Sequence, residues 1–260
     1  MKKLFLVLIL TVMTFSFAMA SDKETPSSIY EKILEKSYIG KYKSIIIDKE
    51  LTSTQISNGM SIRSKTYFAY DKYREETATK DTSGQTINII TIFTSSDTYM
   101  SYNQGETFLS FGTSLIDEIS SNIKNIDSFT LHAVLKEKME TVNGSECYAI
   151  EDNGMGINRK FYVEKKTYNL LKSIISTEEM LIVTELSNYK KVDKYTGPFT
   201  IQLLIRKKTG DKQTIESNIK IHSIQFNPSI NSEIFSPKNV SAIPNIYGIG
   251  NIKDMLQSIF

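Results

Sequence analysis

Phe199-Thr200-Ile201-Gln202-Leu203-Leu204-Ile205-Arg206-Lys207 is the stretch on which the fold turns. Phe199, Ile201, Leu203 and Ile205 alternate with Thr200, Gln202, Leu204 and Arg206. That spacing puts the first set on one face of a β-strand and the second on the other. Thr214–Phe226 repeats the pattern, with Ile215, Ile219 and Ile221 alternating with Glu216, Asn218, Lys220 and His222. Each strand has one apolar and one mostly polar face, so each needs one side packed and the other wet.

Moving outward, the same period marks residues 44–54, 60–73, 86–95, 98–103, 130–142, 146–152, 159–164, 170–177 and 181–189 as strands. Asn58-Gly59 and Asn143-Gly144 are hairpin turn signals. Helical spacing occurs in three places. Ile29, Tyr30, Ile33, Leu34 and Tyr38 form one apolar face, with Ser27 or Ser28 as cap and Gly40 as terminator. Phe108, Phe111, Leu115, Ile119 and Ile123 predict a second helix over residues 107–125, although Gly112 weakens it. Residues 252–260 predict a short third. The fold class expected is mainly β, an α+β arrangement in which a long antiparallel sheet curls over two or three short helices. No internal repeat or Pro/Gly linker divides the chain, so residues 21–260 are expected to form a single domain.

Met1-Lys2-Lys3, the apolar run of residues 4–17 and Ala18-Met19-Ala20 match a secretory signal with a small-residue exit. The apolar run is shorter than the 20 or so residues of a membrane span. Cleavage near Ala20 and a place outside the cytoplasm are expected. No Cys follows the apolar run, so a lipidated N-terminus is not. Of 31 basic residues two are Lys2 and Lys3, so the remainder balance the 29 acidic ones. A neutral body argues against nucleic acid or a polybasic membrane contact as its main business. Cys147 is the single cysteine, which excludes an intrachain disulfide. Ile, Thr, Tyr and Phe are abundant, and they favour strands.

Catalytic constellations are sparse. His132 and His222 stand in predicted strands without Cys or acidic residues at ligand spacing, so no metal site is expected. No G-x-S-x-G turn occurs. Cys147, beside Tyr148 in a strand, reads as a buried thiol. Gly154-Met155-Gly156 lacks the strand-to-helix context of a phosphate loop. Asn143-Gly144-Ser145 and Asn239-Val240-Ser241 match the glycosylation sequon by chance. What remains is apolar surface beyond the reach of three short helices. It reads either as a cavity for an apolar ligand or as an ordinary half-covered core.

Several stretches resemble one known family. Lys65-Thr66-Tyr67-Phe68-Ala69-Tyr70-Asp71-Lys72-Tyr73-Arg74-Glu75-Glu76 resembles the early strand-turn-strand of outer-membrane lipoprotein-sorting proteins, the LolA/LolB-like superfamily. Asp97-Thr98-Tyr99-Met100-Ser101-Tyr102-Asn103 resembles its next hairpin, after residues 89–93. Val142-Asn143-Gly144-Ser145-Glu146-Cys147-Tyr148-Ala149-Ile150 and Phe161-Tyr162-Val163-Glu164-Lys165-Lys166-Thr167-Tyr168-Asn169-Leu170-Leu171-Lys172 resemble later strand pairs. Tyr189-Lys190-Lys191-Val192 and Ile234-Phe235-Ser236-Pro237 resemble the closing strands. The likeness spans residues 38–237.

The resemblance implies an incomplete antiparallel β-barrel lidded by helices. It also implies a monomeric periplasmic carrier that holds lipid or lipoprotein acyl chains, with a membrane-bound transporter or receptor as partner. It implies no catalytic residue, no cofactor and no enzyme activity. On it, Phe161, Val163, Phe199, Ile201, Leu203 and Ile205 would line the hollow, and Phe108, Phe111 and Leu115 would belong to the lid; simple core packing is the alternative for each. The family's lid is latched by an Arg followed by Pro, where this chain has Tyr70-Asp71-Lys72, so the resemblance does not extend to that latch. Two other readings stay open: a lipid or envelope-stress sensor on the same shell, and an envelope interaction protein with a closed core.

Overall fold

The computed structural model describes residues 24–54, 61–69, 72–80, 84–102, 105–110, 133–154, 156–209 and 214–242. Among the described residues fifteen strands follow one helix. They are β1 (Ser44–Ser53), β2 (Ser61–Ala69), β3 (Lys72–Lys80), β4 (Thr86–Phe93), β5 (Thr98–Ser101), β6 (Phe108–Ser110), β7 (Val134–Leu135) and β8 (Glu140–Val142). Then come β9 (Ser145–Gly154), β10 (Ile157–Glu164), β11 (Leu170–Ser176), β12 (Met180–Val192), β13 (Tyr195–Lys207), β14 (Thr214–Phe226) and β15 (Val240–Ala242). They form one curled, unclosed sheet, in the order β15-β6-β5-β4-β3-β2-β1-β14-β13-β12-β11-β10-β9-β7, with β8 on β9. This is the mainly β, incomplete-barrel class expected. Neighbours are antiparallel except β15, which runs parallel to β6. Consecutive strands are mostly hairpin neighbours; the non-consecutive pairs are β15 with β6, β7 with β9, and β1 with β14, which joins the two halves of the sheet.

The α-helix α1 spans Pro26–Ser37. Its cap is Thr25, one turn earlier than Ser28: the two side chains satisfy each other's backbone N–H in a reciprocal capping box, with Pro26 at the first helical position. Ile29 is fully buried, against Ile150 and Val163. Glu24 accepts from Lys32, from the Tyr168 hydroxyl at 2.7 Å and from Ser28 Oγ at 2.7 Å. Lys32 also lies 4.4 Å above the Tyr168 ring, and the Lys36 ammonium donates to the Thr167 carbonyl. The helix is thereby fastened to the β10–β11 turn.

Three expectations need correction. The strand predicted over residues 60–73 is divided, because β2 ends at Ala69 and β3 begins at Lys72. Within the strand predicted over residues 130–142, β7 and β8 are separate short strands, with residues 136–139 between them in neither. The helix predicted over residues 107–125 does not begin there. Phe108–Ser110 is a strand paired to β5 and β15, which satisfies its backbone on both sides. Phe111 and Leu115, the predicted helix at 252–260 and the predicted signal lie outside the described residues. Among the described residues α1 is the one α-helix, joined by a 3₁₀ turn at Ser232–Phe235. That turn crosses β3, where Arg74 Nη1 donates to the Ile234 carbonyl at 2.7 Å.

Candidate functional site

Directly opposed residues in antiparallel strands share a face, so register sorts the whole sheet into an inner face, which α1 packs on, and an outer face. Ile45, Ile47, Lys49, Leu51 and Ser53 of β1 lie on the inner face, opposite Phe68, Thr66, Ser64 and Ile62 of β2. A bulge at Asp48/Lys49, opposite His222, brings both Ile221 and Ile224 to that face. Without it Ile224, 8% exposed in the core, would point outward.

The inner face can be read as rungs running across strands. At one end Ile45, Phe226, Phe68, Tyr73 and Phe93 form an aromatic floor. Phe68 and Phe93 meet Tyr73 edge-on at 4.9 and 5.0 Å, and Tyr42 stacks on Phe226 at 3.9 Å. Phe199 and Tyr195 close this floor. Farther along, one rung is Leu186, Ile201, Ile219, Leu51 and Ile62. The next is Phe161, Ser173, Thr184, Leu203 and Ser217, where Ser217 Oγ donates to Ser53 Oγ at 2.9 Å. The last is Arg159, Ile175, Ile182, Ile205 and Ile215. The aliphatic side chains of these three rungs are partly buried, whereas the even-numbered residues Glu216, Asn218, Lys220 and His222 of β14 are exposed.

The candidate lining residues thus share one face but not one environment. Phe161 and Val163 lie under α1, with Ile29, Ile33, Ile150 and Leu170. Phe199 belongs to the floor and is 3% exposed. Ile201, Leu203 and Ile205 lie beyond both, on the partly buried rungs. Phe108 is on the outer face with Ile90, Ile92 and Tyr99, so it cannot lid the inner one. Cys147, fully buried beside Val142, Ala149 and Tyr162, is an unpaired thiol whose pKa burial pushes up, as expected of an inert one.

Between floor and rungs sits a polar group that the alternating pattern did not single out. Lys49 Nζ lies 2.9 Å from Glu75 Oε1, with the side chains 32% and 14% exposed. Tyr73 donates to Glu75 Oε2 at 2.7 Å and Thr66 Oγ1 to Oε1 at 3.4 Å. Burial pushes the Glu75 carboxyl up, but the Lys49 charge and the hydrogen bonds outweigh it and hold it below the ordinary carboxylate range. Burial first, and then the Glu75 charge, push the Tyr73 hydroxyl far up, so it stays a donor. The signal was present in the sequence: Lys49 breaks the series Ile45, Ile47, Leu51 at positions two apart.

The outer face differs. Two open clefts of about 810 and 630 Å³ lie there, the first lined by Thr52, Glu185, Gln202, Leu204, Glu216 and Asn218, the second by Asp48, Arg63, Lys65, Arg74 and Glu76. The walls of the second carry the ion pairs Arg63–Asp48 at 2.8 Å and Arg74–Glu76 at 2.8 Å, a lining suited to water rather than to hydrocarbon; the first mixes Val183, Leu203 and Leu204 with its polar residues. Among the described residues no group of His, Cys, Asp and Glu is placed to hold a metal ion, and no helix is long and apolar enough to cross a membrane.

No protein-family model and no curated protein matches the chain. Solved structures do. A DUF1329 family protein from Desulfovibrio piger is similar at a TM-score of 0.52 and 11% identity, over 82% of this chain and 98% of that one. A candidate outer membrane lipoprotein-sorting protein domain from Vibrio parahaemolyticus is similar at 0.46 and 14%, over 80% and 94%. A LolA superfamily protein from Nitrosomonas europaea is similar at 0.47 and 10%, over 82% and 98%. Proteins described as of the LolA superfamily and as lipoprotein-sorting are among the solved structures that this chain is similar to, and at these identities each similarity is one of fold alone.

Proposed function

We propose that the protein is a carrier or binding protein of the cell envelope, exported to the periplasm, that holds lipid or lipoprotein acyl chains against the inner face of its sheet. One observation carries this reading. From β12 to β1 that face presents Ile182, Leu186, Ile201, Leu203, Ile205, Ile215, Ile219 and Leu51 only partly buried, although α1, whose Ile29 and Ile33 pack on the β9–β11 end, also passes close to β13. An acyl chain laid along these rungs gains about 0.8 kcal/mol per buried CH₂, so affinity needs no catalytic group or cofactor. The fold likeness to lipoprotein-sorting proteins supports the same class of ligand.

The test is direct. Purified protein is expected to retain lipid in native mass spectrometry, and a fatty acid is expected to displace an apolar fluorescent probe from it. Protein free of lipid that binds no probe would leave the reading of a closed envelope interaction protein. Transfer of bound lipid between two vesicle populations separates a carrier, which delivers, from a sensor, which only binds.

A further inference from the structure

We propose that the Lys49–Glu75 pair selects uncharged, carbonyl-bearing amphiphiles, acyl esters or amides, over free fatty acids, with Lys49 donating to the carbonyl and Glu75 positioning and neutralising it. This rests on the ligand-holding reading above and names the head group that the same face would take.

The pair sits among the hydroxyl residues Ser64, Thr66, Thr77 and Thr91, its cross-strand neighbours on this face; charge withdrawn from water there is still costly, and aliphatic residues in place of a buried ion pair often cost nothing. The pair is therefore not explained by stability. Its position is specific: Lys49 follows the bulge opposite His222, on the boundary between the closed aromatic floor and the partly buried rungs. The two partners are unequal. Glu75 already faces Lys49, the Tyr73 hydroxyl and Thr66 Oγ1, and its side chain is 14% exposed. Lys49 has three N–H groups, of which the contact with Glu75 occupies at most one, and its side chain is 32% exposed. The open hydrogen-bonding capacity is thus donor capacity, and it faces a ligand acceptor. Electrostatics then chooses between acceptors. The pair as a whole is neutral, so a carboxylate brought to Lys49 would add an uncompensated negative charge beside Glu75 in a poorly solvated place. An ester or amide carbonyl accepts the same hydrogen bond without that charge. A chain extending from it would run along Ile201, Ile219 and Leu51.

Methyl palmitate, palmitic acid and a hydrocarbon of matched length, each displacing the same fluorescent probe, test this. The wild-type protein is expected to bind the ester about tenfold more tightly than either of the others. Glu75→Gln leaves the Lys49 charge unbalanced, and the preference is expected to invert in favour of the acid. Lys49→Met combined with Glu75→Gln keeps the face neutral and is expected to abolish the gap between ester and hydrocarbon; it serves also where the single variant does not fold. Ester and acid bound equally by the wild type, or an order unchanged in both variants, overturns the proposal and leaves the carrier reading standing. Binding of none of the three overturns both.

Discussion

Glu24 shows how much one side chain can decide in this molecule. It stands before α1 and accepts hydrogen bonds from Lys32, Ser28 and Tyr168, so it joins the helix to the β10–β11 turn. The Lys32 ammonium and the two hydroxyls hold its carboxyl down at about 2, against an ordinary 4.5. A carboxyl depressed on folding contributes stability that is fully present above its unfolded value. That contribution fades as pH falls from about 4.5 towards about 2. Glu24→Gln is therefore expected to lower the melting temperature at pH 7 by at most a few degrees, since solvent screens the pair. The difference from wild type should vanish near pH 2. Thermal melts of both proteins between pH 7 and 2 check this, and a pH-independent difference would assign the effect to packing instead. Lys49 and Glu75 make the complementary point on the other half of the sheet. Lys49 is polar between Ile47 and Leu51, a local break in pattern, whereas Glu75 stands between Tyr73 and Thr77, and only register reveals the two as one site.

At the scale of the element, β13 spans two environments. Phe199 is floor, 3% exposed, while Ile201, Leu203 and Ile205 are partly buried. Phe199→Ala is expected to cost about 3–5 kcal/mol, as truncation of a buried aromatic does. Leu203→Ala and Ile205→Ala should each cost under about 2 kcal/mol, because less of their contact is lost. Leu203→Glu should instead weaken probe binding with little loss of stability. Urea midpoints and probe affinities of the same variants check the gradient, and equal costs along β13 would mean a closed core throughout. The alternation that identified β13 and β14 was legible because both strands are long and one-sided. β6 was not: three residues are too short to show a period, and Phe108 also falls at helical spacing with Phe111 and Leu115. The break between β2 and β3 was hidden because no Gly or Pro stands between Ala69 and Lys72, although the family resemblance placed a strand-turn-strand there. α1 was legible in its apolar face, but its cap was displaced, since Pro26 favours the first turn and so moves the cap to Thr25.

At the scale of the whole molecule, the described strands form a single sheet whose outermost members are short: β7 has two residues, and β8, also on β9, and β15 have three each. Short edges offer little backbone for pairing with a second chain, which suits a protein proposed to work alone between membranes. The export that this role requires has its own measurement. Mass spectrometry of the protein from an envelope fraction is expected to find a chain starting at Ser21. A protein retaining residues 1–20 in the cytosol would remove the periplasmic reading while leaving the inner face as a ligand site.

The pairing of β1 with β14 has a temporal consequence. Ile45 finds its partner in Phe226, far along the chain, so one edge of the first strand stays unmatched until nearly all later strands have been synthesised. Such a distant pairing closes later than the hairpins around it, because loop-closure entropy is lost before the contacts offset it. A newly made chain therefore passes through an interval in which it is complete but not yet compact. That is the form in which a chain led by residues 1–20 could be threaded through a membrane pore.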